Sequence, residues 1–320
     1  MNRLLLINYH YIHDPARHRH PGIHPISQST LGDQIDRLSA ELTPASPRAV
    51  EAFAAGETST PGAGFHLTFD DGLKDHVIAA RDVLRPRELR AVFFISTRPL
   101  VEGRAMTVNK VHWLRSQMDP VQFETAFTNR LPSEWAQAIA NDENAAAAAE
   151  TIRYDAPEIA RLKYAINFIL PYELVDRVTS DMLAAMDVEE AALCRELYMN
   201  EDDIRDLARE GHVIGCHGHT HRPFSKLTAE ALDAELALCT ETLSKLSGGP
   251  VEWLSYPWGS PWALPSDPET LGQRHDFKLA ITLERAWNSL GVSPYRLSRI
   301  NTNEVGVFLS GEQHRAASHR

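Results

Sequence analysis

Short apolar runs, each trailed by a stretch of helical periodicity, give the first hundred or so residues of this chain a strand–helix–strand rhythm. Residues 4–7 (Leu-Leu-Leu-Ile) read as a buried strand that ends at Tyr9, His10 and Tyr11. A polar loop rich in His and Pro covers 13–25. An amphipathic helix over 30–42 follows, with Ser29 as its N-cap and Leu31, Ile35 and Leu38 on one face. Residues 44–64, rich in Ala, Pro, Gly and Thr, hold a short helix. Residues 65–69 form a second strand, 75–84 a helix, and 91–95 a third buried strand. This alternation predicts a parallel sheet or barrel.

The rhythm breaks near residue 98. From there to 197 strand signal nearly vanishes, and helical segments take over at 120–128, 133–141, 145–149, 157–170 and 172–186. Residues 145–149 are all alanine, the best helix former. We read 98–197 as a helical insertion within a single α/β domain that spans 1–320, not as a second catalytic domain. Alternation then resumes: a helix at 201–210, a short strand at 212–215, a long amphipathic helix at 227–247, and strands at 253–256, 278–282 and 296–300.

Bulk properties narrow the function. The net charge of -11 comes from 43 acidic against 32 basic residues. A chain this acidic is a poor match for a phosphate backbone or an anionic membrane, which argues against nucleic-acid binding. Cys194, Cys216 and Cys239 are odd in number and form no C-x-x-C pair, so no disulfide framework is expected and a reducing compartment is indicated. No stretch approaches the ~20 apolar residues of a membrane span. The run at 4–7 is too short for a signal sequence. Together these point to the cytoplasm.

Three blocks carry chemistry, each where a strand ends, the place where barrels and open α/β sheets build their sites. The first is Thr68-Phe-Asp-Asp-Gly72. Adjacent carboxylates raise one another's pKa and are costly unless used. Strand side chains alternate in direction, so Asp70 and Asp71 are expected to serve different roles, on a turn that Gly72 permits. The second is His217-Gly-His-Thr-His221, in which His217 and His221, four apart, would share a face on a helical turn and can share a metal. The third is Ser255-Tyr-Pro-Trp-Gly259, a turn able to aim backbone N–H groups into a site. Each block alone is explained by an ordinary turn or polar loop. Together, one carboxylate and two histidines make a three-ligand catalytic metal site with open positions.

These blocks, in this order and with the strand at 91–95 between them, resemble the polysaccharide deacetylase family, also called the NodB-homology or carbohydrate esterase family 4 enzymes. The likeness covers 1–100 and 200–305. It implies a distorted (β/α) barrel of seven strands. It also implies that Asp71, His217 and His221 bind a divalent metal, most often zinc, with cobalt, manganese, nickel or iron as alternatives. Asp70 would be the general base, and the backbone N–H of Trp258 would help hold the oxyanion. The substrate it implies is a sugar, and Tyr256, Trp258 and Trp262 are candidates to stack on a pyranose face. A cytoplasmic location favours a nucleotide sugar or glycan intermediate over an intact wall polymer.

The sequence departs from that family in three places. Ser255 stands where an Arg is usual, a fourth motif built on Asp and Trp is missing, and Arg296-Leu-Ser-Arg-Ile300 replaces the stretch that usually supplies an acid His. Arg299 is the candidate partner that orients Asp70, but it stays charged and donates no proton. His10 is the candidate general acid, with His219 and His112 behind it. Two other readings compete: a catalytically silent sugar-binding barrel, and a non-haem Fe(II) oxygenase, whose usual jelly-roll fold conflicts with the β–α rhythm.

Overall fold

The structure, a computed structural model, describes residues 2–14, 16, 25–57, 62–140 and 157–310. The alanine run at 145–149 and most of the His-rich loop lie outside these residues. Nine strands are described: β1 Arg3–Tyr9, β2 Thr43–Pro44, β3 Ala63–Phe69, β4 Val92–Ile95, β5 Val213–Cys216, β6 Trp253–Ser255, β7 Leu279–Ile281, β8 Asn288–Ser289 and β9 Ile300–Asn301. Around them lie α1 Gln28–Glu41, α2 Pro47–Ala54, α3 Asp75–Ala79 and α4 Arg98–Glu102. A helical run follows: α5 Thr107–Gln117, α6 Pro120–Thr128, α7 Ser133–Ala140, α8 Pro157–Tyr164, α9 Tyr172–Ala185 and α10 Glu190–Leu197. The last helices are α11 Glu201–Arg209, α12 Ala229–Ser247, α13 Pro268–Arg274 and α14 Val305–Leu309.

The chain falls into two compact units. One holds His24–Gly103, Arg195–Arg320 and the N-terminal strand; the other centres on Arg104–Cys194. In the first, the sheet runs β7-β6-β5-β4-β3-β1-β8. Every neighbouring pair is parallel except β1 with β8. The short stretch 297–301 touches both sides: Leu297 pairs with Ile281, and Ile300 with Ile7. The sheet therefore curls into a distorted barrel with seven strands along its main path. A parallel sheet of this kind is far from the jelly roll of the oxygenase reading.

Alternation along each strand sorts residues between two layers. Outward positions such as Leu5, Ile7, Phe93 and Ile214 pack with Leu31, Ile35 and Leu38 of α1, and with Leu236, Cys239 and Leu243 of α12. Inward positions are apolar low in the barrel, where Leu4, Leu6, Val92, Phe94, Trp253 and Leu279 meet Val50 and Phe53 of α2. Nearer the C-terminal ends of the strands they turn polar: Asn8, Thr68, Ser96 and Ser255, all buried. So the barrel is oily at its N-terminal end and chemical at its C-terminal mouth, as its class requires.

The helical unit is organised around a lysine with no exposed side chain. Lys110 of α5 donates to Asp176 Oδ1 at 2.6 Å and Ser180 Oγ at 2.8 Å, and Glu190 Oε1 stands 3.4 Å away. Such a charge is tolerated inside only with partners like these. The pattern reading missed α5 because its buried face mixes Thr107, Asn109 and Lys110 with Val111, Trp113 and Leu114. Three other expectations need correction. The cap of α1 is Ser27, whose side chain accepts from Thr30 N, not Ser29. The strand expected at 296–300 shrinks to a bridge at Leu297 and the pair Ile300–Asn301. The helical unit begins at Arg104 rather than near 98, because α4 is bonded to the barrel through Arg98 N and His219 O at 3.0 Å.

Gly215 points inward beside Phe94, where an added Cβ would stand 2.4 Å from the ring. Gly215→Ala should lower stability by about 1–3 kcal/mol through overpacking, measured by urea denaturation. An unchanged midpoint would mean that the ring yields freely.

Candidate metal and proton-transfer site

The mouth of the barrel gathers residues from five chain segments. Asp70 and Asp71 follow β3, and both are buried. On a continued strand they would face opposite ways. Asp71 instead takes a left-handed φ of 78°, followed by Gly72 at 68°, and the sharp bend brings both carboxylates to one histidine. His217 Nε2 lies 3.8 Å from Asp70 Oδ2 and 3.6 Å from Asp71 Oδ1. His221 Nε2 lies 3.5 Å from the same Asp71 oxygen.

His217 and His221 meet as the spacing suggested, but not on a helical turn. The segment after β5 is irregular, with Gly218 at φ 72° and His221 at φ 60°. His217 Nδ1 donates to the Ser255 carbonyl at 2.8 Å, which fixes the tautomer and leaves the Nε2 lone pair facing Asp71. Burial pushes His221 down to about 4, with Asp71 pulling the other way, so the ring is neutral near pH 7 and can donate its lone pair.

The donor set fits a divalent cation. One carboxylate oxygen and two imidazole nitrogens, all buried, lie within 4.8 Å of one another. Two ligand atoms about 2.1 Å from a common ion at a tetrahedral angle stand about 3.4 Å apart, close to the 3.5 and 3.6 Å found.

Beneath this trio lies Arg299, in the stretch that closes the barrel and 1% exposed. It grips Asp70 with both ends of its fork, Nη1 to Oδ1 at 2.9 Å and Nη2 to Oδ2. Its remaining hydrogen bonds go to Asn8 Oδ1, Thr68 Oγ1, Ser255 Oγ and the Thr282 carbonyl. The small side chain of Ser255 leaves room for the guanidinium and accepts from its Nη2 at 2.8 Å. Burial alone would raise the Asp70 carboxyl. The charge of Arg299, with His217 and the Arg299 hydrogen bonds, more than reverses this and holds it well below the usual carboxylate range.

The other sequence candidates fall differently. His10 is half-buried, and near enough to bear electrostatically on Asp70, Asp71 and His221. Trp258 has φ 68°, and its ring lies 6.0 Å from that of His221 and 5.8 Å from that of Trp262. Its buried indole Nε1 has no partner among the described residues. Tyr256 has no exposed face: it packs edge-on against Phe224 and donates its hydroxyl to the Tyr295 carbonyl, so its ring belongs to the core and not to a sugar. His219 is spent on Thr97 and Glu102, each at 2.9 Å. His112 sits on α5 of the helical unit. The sequence reading passed over Asn8, Thr68 and Glu235. Inward parity on β1 and β3 was the available signal for the first two; nothing marked Glu235 among the other acids of its helix.

Fold and site together define an α/β barrel with a buried Asp-His-His cluster at its mouth. A model of the polysaccharide deacetylase family matches residues 179–274, which include the His217–His221 segment and Trp258 but not Asp70 and Asp71. No curated protein matches the sequence. Among solved structures, IcaB from Ammonifex degensii is 16% identical, with 97% of each chain covered and a TM-score of 0.59. The Streptococcus pyogenes deacetylase PplD, solved in complex with acetate, is 13% identical over 96% of this chain and 97% of its own, at 0.56. BC0361, a polysaccharide deacetylase from Bacillus cereus, is 14% identical over 97% of this chain and 68% of its own, also at 0.56. The chain thus carries the fold of the polysaccharide deacetylase family along nearly its whole length, and the family's sequence pattern over residues 179–274.

Arg299→Met should cost about 3–5 kcal/mol, because it strands a buried anion. The sign with pH follows from the lowered Asp70 carboxyl: its stabilisation is full above an unfolded value of about 3.9 and is lost as pH falls toward the folded one. In the variant burial acts unopposed by Arg299 and holds the proton on. The stability gap should therefore widen as pH rises through about 4. Denaturation of both proteins across that range tests this, and a constant gap would contradict it.

Proposed function

We propose that this chain is a metal-dependent hydrolase that removes an acetyl or similar acyl group, from nitrogen or else from oxygen, on a sugar, nucleotide sugar or glycan intermediate. The observation that carries the reading is the buried Asp71–His217–His221 cluster beside an ionised Asp70 locked by Arg299. A divalent cation held by Asp71 Oδ1, His217 Nε2 and His221 Nε2, most simply zinc, would supply Lewis-acid chemistry, making water more acidic and an acyl carbonyl more electrophilic. Asp70 receives the proton of the attacking water. A carboxylate held this far below its usual range is a weak base, so it serves only where the water is already acidified. Arg299 keeps both Asp70 oxygens in place and acts through Asp70 alone.

The left-handed turn at Trp258 offers its backbone N–H to the oxyanion, an interaction worth about 3–4 kcal/mol where it can be removed cleanly. The unpartnered indole N–H of the same residue is a second donor for substrate. His10 gives the leaving nitrogen its proton. Beside Gly259 lies a cavity of about 850 Å³ with mixed apolar and polar walls, among them Trp262, Leu264, Thr270 and Glu284; Asp70, Asp71, His217 and His221 do not line it. Among the described residues no helix is long and apolar enough to cross a membrane.

The test combines metal analysis with acetate release from N-acetyl sugars, UDP-N-acetyl sugars and O-acetyl sugars. Wild type should bind a divalent cation and release acetate from a panel member, and His217→Ala should lose both. Asp70→Asn should keep the cation and lose roughly 10²–10⁴-fold in turnover. Full activity in Asp70→Asn would remove the base assignment. Failure of the wild type to bind any cation, with zinc or cobalt supplied, would end the hydrolase reading and favour a silent sugar-binding barrel.

A further inference from the structure

Two of the three donor atoms ride on His217–His221, a segment whose own conformation does little to hold them. It has no regular structure, and Gly218 and His221 are both left-handed. For a non-glycine residue that conformation costs about 1–3 kcal/mol, and it persists only where the surroundings enforce it. A single carboxylate on α12 does much of the enforcing. Glu235 Oε2 accepts from His219 N at 2.7 Å and from Thr220 N at 2.8 Å, while Oε1 accepts from Thr220 Oγ1 at 2.5 Å. A Cβ on Gly218 would stand 3.5 Å from the same Oε2, so the bend closes over the carboxylate.

The opposite flank is held by the middle histidine. His219 uses one ring nitrogen on Thr97 and the other on Glu102, and its carbonyl accepts from Arg98 N at 3.0 Å. Glu102 is itself held by Arg98 Nε at 3.1 Å. The residues between the two candidate ligands are thus clamped between α4 and α12, and Glu235 reaches two successive N–H donors at once.

We propose that Glu235 is a positioning residue for the cation site: by gripping the His219 and Thr220 amides it sets the His217-to-His221 spacing and the direction of the His221 ring. This rests on the cation-binding reading above. Groups that hold metal ligands in place typically govern about 10–100-fold in affinity.

The experiment titrates cobalt(II) into cation-free wild type, Glu235→Ala and Glu235→Gln, following the visible spectrum, with the melting temperature of each cation-free protein measured alongside. Glu235→Ala should bind about 10–100-fold more weakly and with an altered spectrum. Glu235→Gln keeps an oxygen for the two amides and an NH2 that Thr220 Oγ1 can accept from, and should recover most of the affinity. Wild-type affinity and spectrum in Glu235→Ala, with only the melting temperature lowered, would overturn the proposal and leave Glu235 as glue for the fold. Should Glu235→Ala fail to fold, Thr220→Val, which removes the hydroxyl that donates to Glu235, should weaken cobalt binding in the same direction; unchanged binding there would also overturn it. A wild type that binds no cobalt sinks the underlying reading instead, and is told apart by that alone.

Discussion

Two opposite charges inside a barrel are the constraint around which this molecule is arranged. Taking Arg299 and Asp70 out of water is expensive, and the pair survives only because the guanidinium also finds Asn8, Thr68, Ser255 and the Thr282 carbonyl. Those acceptors come from β1, β3, β6 and the end of β7, so one side chain cross-links the strand ends around the mouth. Arg suits this task where Lys would not, since its planar fork meets both carboxylate oxygens at once. Ser255 then couples this polar floor to the cluster above it. Its hydroxyl accepts from Arg299 and its carbonyl from His217.

Backbone strain is concentrated where the chemistry is. Six described non-glycine residues have positive φ, and Asp71, His221 and Trp258 are among them. Each directs a side chain or an amide that a relaxed strand or helix could not aim. The bland alternative, that left-handed residues merely mark turns, serves for Glu88, Asp187 and Asp276, which lie at helix ends or turns. It does not explain why the other three converge on one spot.

Most of the barrel was legible because period-two apolar runs and amphipathic helices are local signals. The strands at 65–69 and 91–95 and the helix at 201–210 are found within about two residues of where the pattern sets them. The grouping of Asp71, His217 and His221 was legible too, since spacing at strand ends is local as well. What sequence could not show depends on distant partners. That Tyr256 is core rather than rim is decided by Phe224 and Tyr295. The geometry of the His217–His221 segment is decided by two left-handed residues and by Glu235, where a four-residue spacing suggested a helical turn. The α5 helix stayed hidden because its buried stripe is built on a lysine, which no hydrophobic count recognises.

The stretch that carries Arg299 is also the one that joins the two sides of the sheet. In order of synthesis it comes after the aspartates and the histidines, and domains emerging from a ribosome meet their elements in that order. A chain that stops before this stretch already carries Asp71, His217 and His221, yet its Asp70 would lack the guanidinium that holds it ionised. Closing the barrel and seating Asp70 against its guanidinium partner are therefore one event. A partly assembled form of this protein would have neither a sealed wall nor a carboxylate seated on its guanidinium partner.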